Sequence, residues 1–279
     1  MCPILFRGAT RERDMAGAGM WCWLCTIAAC LAGARVALAG DAAGSAASDL
    51  KKDLVAHYTF DQDASDASGN GHHAVNHGAT RVAEGRFGGA FSFDGQASYL
   101  AIPAKATQGL TWFTISLWAK TTQSVARPRT AFWSSPSLVG VTTGGWGSGD
   151  FSIMAENGRA AYFHGLRTDG SDMSFFSAAP ISDDKWHHVA LVNEGPRMLL
   201  YVDGRLVSGQ ALWHAGGGTT DLGELRQTAS GASLGAAPVF IGAAHEPPVA
   251  HFLYRGLIDD VRLWSRALSP SEVTSLAGQ

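Results

Sequence analysis

Past residue 30 the chain has no cysteine; Cys2, Cys22, Cys25 and Cys30 all fall near its start. A disulfide framework and a cysteine-built zinc site are therefore excluded for nearly the whole chain. Charge is also scarce, at 16% of residues with a formal net charge of -3, and Lys and Arg form no cluster. A basic field able to hold a polyanion is absent, which argues against nucleic acid as a partner. No segment repeats with a period of about 20–50 residues, so solenoid and propeller architectures are not indicated. Gly-x-Ser-x-Gly and His-Glu-x-x-His are missing as well, leaving neither a hydrolase elbow nor a zincin helix.

Long apolar runs are equally rare. Met20–Ala34 is apolar and is preceded by Arg7, Arg11 and Arg13. It is short of the ~20 residues that a membrane helix needs. Ala37-Leu38-Ala39 follows in a small-x-small arrangement, as at a secretory cleavage site. Residues 1–39 are read as a secretory signal, 40–52 as a small, polar linker and 53–279 as one domain. The mature chain would then be exported and would contain no membrane span. Two rival readings stand: Ile27–Cys30 as a lipoprotein box that leaves Cys30 acylated, or an uncleaved anchor. Cys22 and Cys25 form a C-x-x-C without the strand or helix context of a redox site.

The chain is rich in turns and short strands, with 34 glycines. From Leu54 onward apolar and polar residues alternate. In Leu110–Lys120, Phe113, Ile115 and Leu117 share one face and Thr114 and Ser116 the other. His188–Val192, Met198–Gly204, Val239–Ala243 and Leu257–Trp264 read as further strands. Asp94-Gly95, Asn157-Gly158, Asp169-Gly170 and Asp203-Gly204 mark tight turns between them. Trp112, Trp118, Trp186 and Trp264 fall in these patterned strands and read as core or sheet-face residues. Trp213–Pro238 is the least regular stretch and reads as a long loop. Near the C-terminus, Ser269, Pro270 and Glu272 carry the signals of a helix start. The implied architecture is all-β, a two-sheet antiparallel sandwich closed by a short C-terminal helical turn.

Six phrases appear in order: Leu54–Ala74, Gly85–Pro103, "FTISLWAK", "WHHVALV", "LYVDGRLV" and Gly256–Val273. Together they resemble the laminin-G-like, concanavalin A-like jelly-roll family of extracellular bacterial proteins, over about residues 53–279. The resemblance implies a jelly-roll sandwich that binds glycans or other extracellular ligands, often with a calcium ion where the first and last strands meet. The paired glutamates of the related sandwich glucanases, E-x-D-x-x-E, are missing here. The expected activity is therefore non-catalytic binding of a glycan or glycoprotein surface. A protein-binding adhesion module is the first alternative, and a hydrolase or lyase with an unrecognised site the second.

Candidate sites follow from residue chemistry. "FDQDASDASGNG" places Asp61, Asp66 and Asn70 in a loop whose oxygens suit calcium, which takes six to eight of them. Asp259 and Asp260 add carboxylates in a strand where Leu257, Val261 and Leu263 are expected to share the face of Asp259. A buried carboxylate there requires a cation or hydrogen-bond donors. Backbone amides alone, with an Asx-turn at Asp66, are the competing account. For ligand stacking the candidates are Trp133 and Trp146, set among glycines and serines, and Trp213 and His214. Trp133 and Trp146 read equally well as strand residues. His187 and His188 sit in one strand, where consecutive side chains face opposite sides, so they cannot share a metal and read as framework.

Overall fold

In a computed structural model the described residues are 50–126, 134–142, 149–165, 172–195, 197–215, 218–223, 234, 237–244 and 253–279. The expected signal, Trp133, Trp146 and most of 224–252 lie outside them. The first strands in chain order are β1 (Leu54–Tyr58), β2 (Val75–His77), β3 (Thr80–Val82), β4 (Ala90–Asp94), β5 (Tyr99–Ile102) and β6 (Phe113–Lys120). Then come β7 (Ser137–Val141), β8 (Phe151–Glu156), β9 (Arg159–Gly165), β10 (Asp172–Pro180), β11 (Trp186–Asn193) and β12 (Met198–Val202). The last are β13 (Arg205–Leu206), β14 (Gly209–Ala215), β15 (Gly218–Gly223), β16 (Val239–Ile241), β17 (Arg255–Trp264) and the helix α1 (Pro270–Ala277).

These strands form two antiparallel sheets, as expected. The eight-stranded sheet runs β13-β12-β11-β6-β17-β4-β3, with β1 also on β17; the nine-stranded sheet runs β15-β14-β10-β9-β8-β7-β16-β5-β2. Phe113, Ile115, Leu117, Val189 and Leu191 of the first sheet share one buried cluster with Phe151, Ile153, Tyr162 and Phe175 of the second. Period-two alternation produces this core, because each strand commits every other side chain to the inter-sheet space.

The strand β17 controls the register of the eight-stranded sheet. Along one edge it pairs with β6 throughout; along the other it pairs first with β4, through Ile258, and then with β1, from Val261. The change of partner coincides with a bulge between Asp259 and Arg262, where Asp260 adopts φ +49°. An extra residue in one strand reverses the phase of everything after it. The expected face assignment is therefore corrected. Ile258, Val261 and Leu263 enter the core, while Asp259 lies opposite Trp118 on the other face.

That outer face is covered too. Ala190, Val192, Tyr201 and Trp264 pack with Leu50, Leu268, Val273 and Leu276 under α1. The helix begins as expected, with Ser269 as N-cap and a reciprocal capping box to Glu272. Trp264 Nε1 donates to the Leu50 carbonyl at 2.7 Å, so the end of the expected linker packs onto the domain. The stretch expected to be one long loop from Trp213 instead opens with a hairpin, in which Trp213 lies opposite Thr220. Its Gly and Thr residues pair through backbone groups, which no side-chain pattern announces.

His187 and His188 occupy very different surroundings. His187 lies between Asp203 and Asp183, each 2.9 Å from a ring nitrogen. Burial opposes protonation there, but the two carboxylates outweigh it and raise the pKa. His188 is buried against Trp118, with ring centroids 5.4 Å apart. Burial pushes its pKa down to about 4. A raised histidine pKa stabilises the fold fully below its unfolded value near 6.5, and this contribution is lost as pH rises through the folded value. A lowered one acts in reverse, losing stability as pH falls from about 6.5 toward 4. His187→Gln should therefore lower the thermal midpoint more at about pH 6 than at about pH 8. Thermal unfolding of both chains across that range checks this, and a pH-independent difference would remove the clamp from the account.

Candidate ligand cleft and acidic seam

A cleft of about 510 Å³ opens on the nine-stranded sheet beside β8, β9 and β10. Its construction begins with the turn Asn157-Gly158, both residues at positive φ (+48° and +74°). Such a turn matches the twist of a hairpin and sets Glu156 directly opposite Arg159. Next along the face runs a row made by register alone. Met154 pairs with Ala161, Ala161 with Phe176, and Phe176 with Gln210. Met154, Ala161 and Phe163 form a small apolar cluster apart from the core, with Phe176 packed on it.

Between Phe176 and Pro180 the pairing of β10 with β9 slips. The Arg159 guanidinium bonds the Ala178 carbonyl at that slip. Gly209 is required on the far side: a β-carbon there would lie 2.1 Å from the Phe176 carbonyl oxygen. Glu156 is buried and accepts from the Ser135 hydroxyl. The cleft thus offers a half-buried aromatic ring, a carboxylate, a guanidinium and a primary amide. This is the set that holds a ligand with an apolar face and several hydroxyls. Its volume falls within the ~300–1,000 Å³ of small-molecule sites.

The expected metal residues fall in two neighbouring places. Asp61 and Asp260 line a smaller cleft of about 260 Å³ with His57, Phe87 and Arg262. Asp260 contacts His57 Nε2 at 2.6 Å and Arg262 at 3.0 Å. Burial alone would raise its pKa, but these two partners outweigh it and lower the value. Asp259 has no exposed surface. It accepts from the Phe87 amide at 2.8 Å and the Asp260 amide at 2.7 Å. Burial is nevertheless the larger effect and lifts its pKa to about 6.

Asp66 accepts three backbone amides, from His57 at 3.0 Å, Ser68 at 2.9 Å and His72 at 2.9 Å. Asn70 donates to the carbonyls of Leu54 and Val55, tying the loop to β1. Asp61 accepts from Gly89 at 3.1 Å. Among the described residues no group of three or more metal-ligating side chains converges. Their carboxylates accept from amides, a histidine and an arginine.

Of the expected ligand residues, Trp213 and His214 lie in β14, opposite Met173 and Asp172, and Trp133 and Trp146 lie outside the described residues. Trp118 and Trp264 are buried as expected, but Trp112 is not: it precedes β6 and is 52% exposed. Sequence reading missed the cleft residues Glu156, Arg159, Phe176 and Gln210. The Asn157-Gly158 turn signal was the only pointer to two of them.

Among the described residues, no helix is long and apolar enough to cross a membrane. No curated protein sequence matches the chain. Among solved structures, the chain is similar to domain 4 of AbnA, a GH43 extracellular arabinanase from Geobacillus stearothermophilus, in complex with arabinotriose. Identity is 22% and the TM-score 0.56, over 80% of this chain and 98% of that one. It is also similar to the binding domain of Paraclostridial Mosquitocidal Protein 1, at 19% identity and TM-score 0.58, over 82% of this chain and 52% of that one. The binding domain of Botulinum Neurotoxin DC in complex with SialylT matches at 13% identity and TM-score 0.53, over 82% and 52%. The chain spans about half the length of these two binding domains. At such identities the likeness is one of fold. The family description "Concanavalin A-like lectin/glucanases superfamily", Laminin_G_3, matches residues 94–274, and the chain belongs to that family.

Proposed function

We propose that this is an exported, non-catalytic module that binds carbohydrate in the cleft of the nine-stranded sheet. The observation that carries the reading is the cleft's composition: Phe176 beside Glu156, Arg159 and Gln210. A sugar ring presents C–H groups on its faces and hydroxyls at its edge. Phe176 would take the face, while Glu156, Arg159 and Gln210 would take hydroxyls, with Arg159 able to serve two at once. Among the described lining residues Glu156 is the one carboxylate, whereas glycoside hydrolysis ordinarily uses a pair. The similar arabinanase domain, which holds arabinotriose, supports a saccharide as the ligand class.

A glycan array screened with the wild-type chain and with Phe176→Ala tests the reading. The wild type is expected to bind a defined saccharide, and Phe176→Ala to weaken it by about tenfold, or about 1.4 kcal/mol. A folded wild-type chain that leaves the array blank would refute it.

Calcium, implied by the family resemblance, enters as a separate proposal within this reading, and the amide bonds of Asp66 set its terms. An ion at this loop would have to compete with three amides for both oxygens of that carboxylate. Those bonds outweigh burial and hold the Asp66 pKa low. Asp66→Ala should leave the amides of His57, Ser68 and His72 without their acceptor and cost about 2–3 kcal/mol. With calcium in the loop, chelator should lower the wild-type thermal midpoint and added calcium restore it, both effects being lost in Asp66→Ala; a wild-type midpoint that neither treatment moves would remove the metal from this loop.

A further inference from the structure

An indole that leaves half of its surface in water costs hydrophobic free energy, so its surroundings matter. Val75, Trp112 and Leu206 are the exposed large hydrophobics among the described residues. They lie on different elements: Val75 in β2, Leu206 in β13, and Trp112 just before β6. Among the described residues Trp112 is therefore a single ring with no other exposed large hydrophobic on its element. A protein–protein interface needs several hundred Å² of apolar surface per partner. One ring suits a ligand whose apolar face is ring-sized.

The backbone that leads into Trp112 is also held in place. Just before it, Gly109 donates to the Leu234 carbonyl at 3.0 Å and Leu234 donates to the Leu110 carbonyl at 2.9 Å. Asn193 has no exposed surface, and its side chain works in two directions. Its Nδ2 donates to the Thr111 carbonyl at 3.1 Å, and its Oδ1 accepts from the Gly195 amide at 3.0 Å. One buried amide thus fixes both the residue before Trp112 and the hairpin turn beside it.

Gly195, at φ +78°, lets the indole lie against that turn. A β-carbon at Gly195 would sit 3.2 Å from Trp112 Nε1, 3.3 Å from Cε2 and 3.4 Å from Cζ2. The turn is closed by Glu194 donating its amide to the Arg197 carbonyl at 2.8 Å. The Glu194 carboxylate and the Arg197 guanidinium pair beside it, with the arginine side chain 50% exposed. An aromatic ring seated against an ordered turn avoids part of the ordering cost that a mobile side chain would incur on binding, and the same turn carries a carboxylate and a guanidinium.

We propose that Trp112 is a second saccharide platform, separate from the cleft, on which one sugar ring stacks while Glu194 and Arg197 meet its hydroxyls. This rests on the carbohydrate-binding reading above and adds a subsite that shares no residue with the cleft. A polysaccharide able to reach both would gain from bivalent attachment.

The test uses the full chain with 15N-labelled indoles, the Trp112 resonance being assigned by its loss in Trp112→Phe. Arabinotriose, cellohexaose and mannohexaose are titrated to about 10 mM, since a single stacking contact gives affinities in the millimolar range. The expected result is a saturable shift of the Trp112 signal with at least one sugar, retained in Phe176→Ala. Trp112→Ala should lower affinity for the matching polysaccharide about tenfold while Trp112→Tyr keeps it, with the thermal midpoint unchanged in both. A Trp112 signal that never moves while Phe176→Ala abolishes binding would overturn the platform and leave the cleft standing. A wild-type chain that binds no saccharide at all would overturn both.

Discussion

One strand with two successive neighbours sets the conditions for the rest of the sandwich. β17 must keep β6 along one edge while it exchanges β4 for β1 along the other, and at the exchange its ladder is broken. A bulge there leaves an amide without a strand partner. Asp259 resolves this by turning its own carboxylate onto the Asp260 amide and the Phe87 amide. Asp260 then bridges to β1 through His57, with Arg262 supplying the counter-charge. Two adjacent carboxylates end with opposite tendencies. Asp259, satisfied by neutral amides and stripped of water, is pushed up to about 6; Asp260, facing a histidine and an arginine, is drawn down despite burial. Because the bulge also fixes which of Ile258, Val261 and Leu263 face inward, the packing of the core depends on this polar repair.

The outer faces of the two sheets differ in how far they are covered. That of the eight-stranded sheet is closed by α1 and Leu50 at one end. Further along, the Arg86 guanidinium stacks 4.4 Å from the Trp118 ring centroid and 4.7 Å from Phe87. The nine-stranded sheet keeps a cleft where β10 slips its register. A register slip is a cheap way to make a concavity in a sheet, because it needs no inserted loop and leaves the flanking ladders intact. Both sheets thus carry a register irregularity, one at the seam of β17 and one beside the cleft.

Much of the architecture is legible in the sequence because local chemistry decides it. Ser269, Pro270 and Glu272 specify the helix start atom by atom, and the capping box is present. Asp203-Gly204 and Asn157-Gly158 turn with positive φ at both residues, which the residue types announce. What escaped depends on pairing between distant segments. Alternation counted along Leu257–Leu263 put Asp259 on the core side, since a bulge adds one residue without any compositional mark. The second strand of the β14–β15 hairpin is rich in Gly and Thr and looked like a loop. Phe176 and Gln210 are brought together by ladder register across β10 and β14, and no spacing in the chain encodes that. The strand expected over Leu110–Lys120 begins only at Phe113, so Trp112 stands just before it and is exposed.

The two aromatic surfaces solve the same recognition problem with different rigidity. Phe176 gains its position from a neighbouring apolar cluster, Met154, Ala161 and Phe163, so its ring can adjust as the packing beneath it adjusts. The backbone just before Trp112 is fixed by hydrogen bonds, and the indole lies against Gly195. A ring carried on an ordered backbone would lose little entropy on binding but tolerate little misfit, whereas a packed ring in a cleft would gain burial and accept variation. On the proposed reading the cleft would determine which saccharide binds and the Trp112 platform how long a bound chain remains attached. Such a division of tasks suits a module that meets its ligand as a polymer.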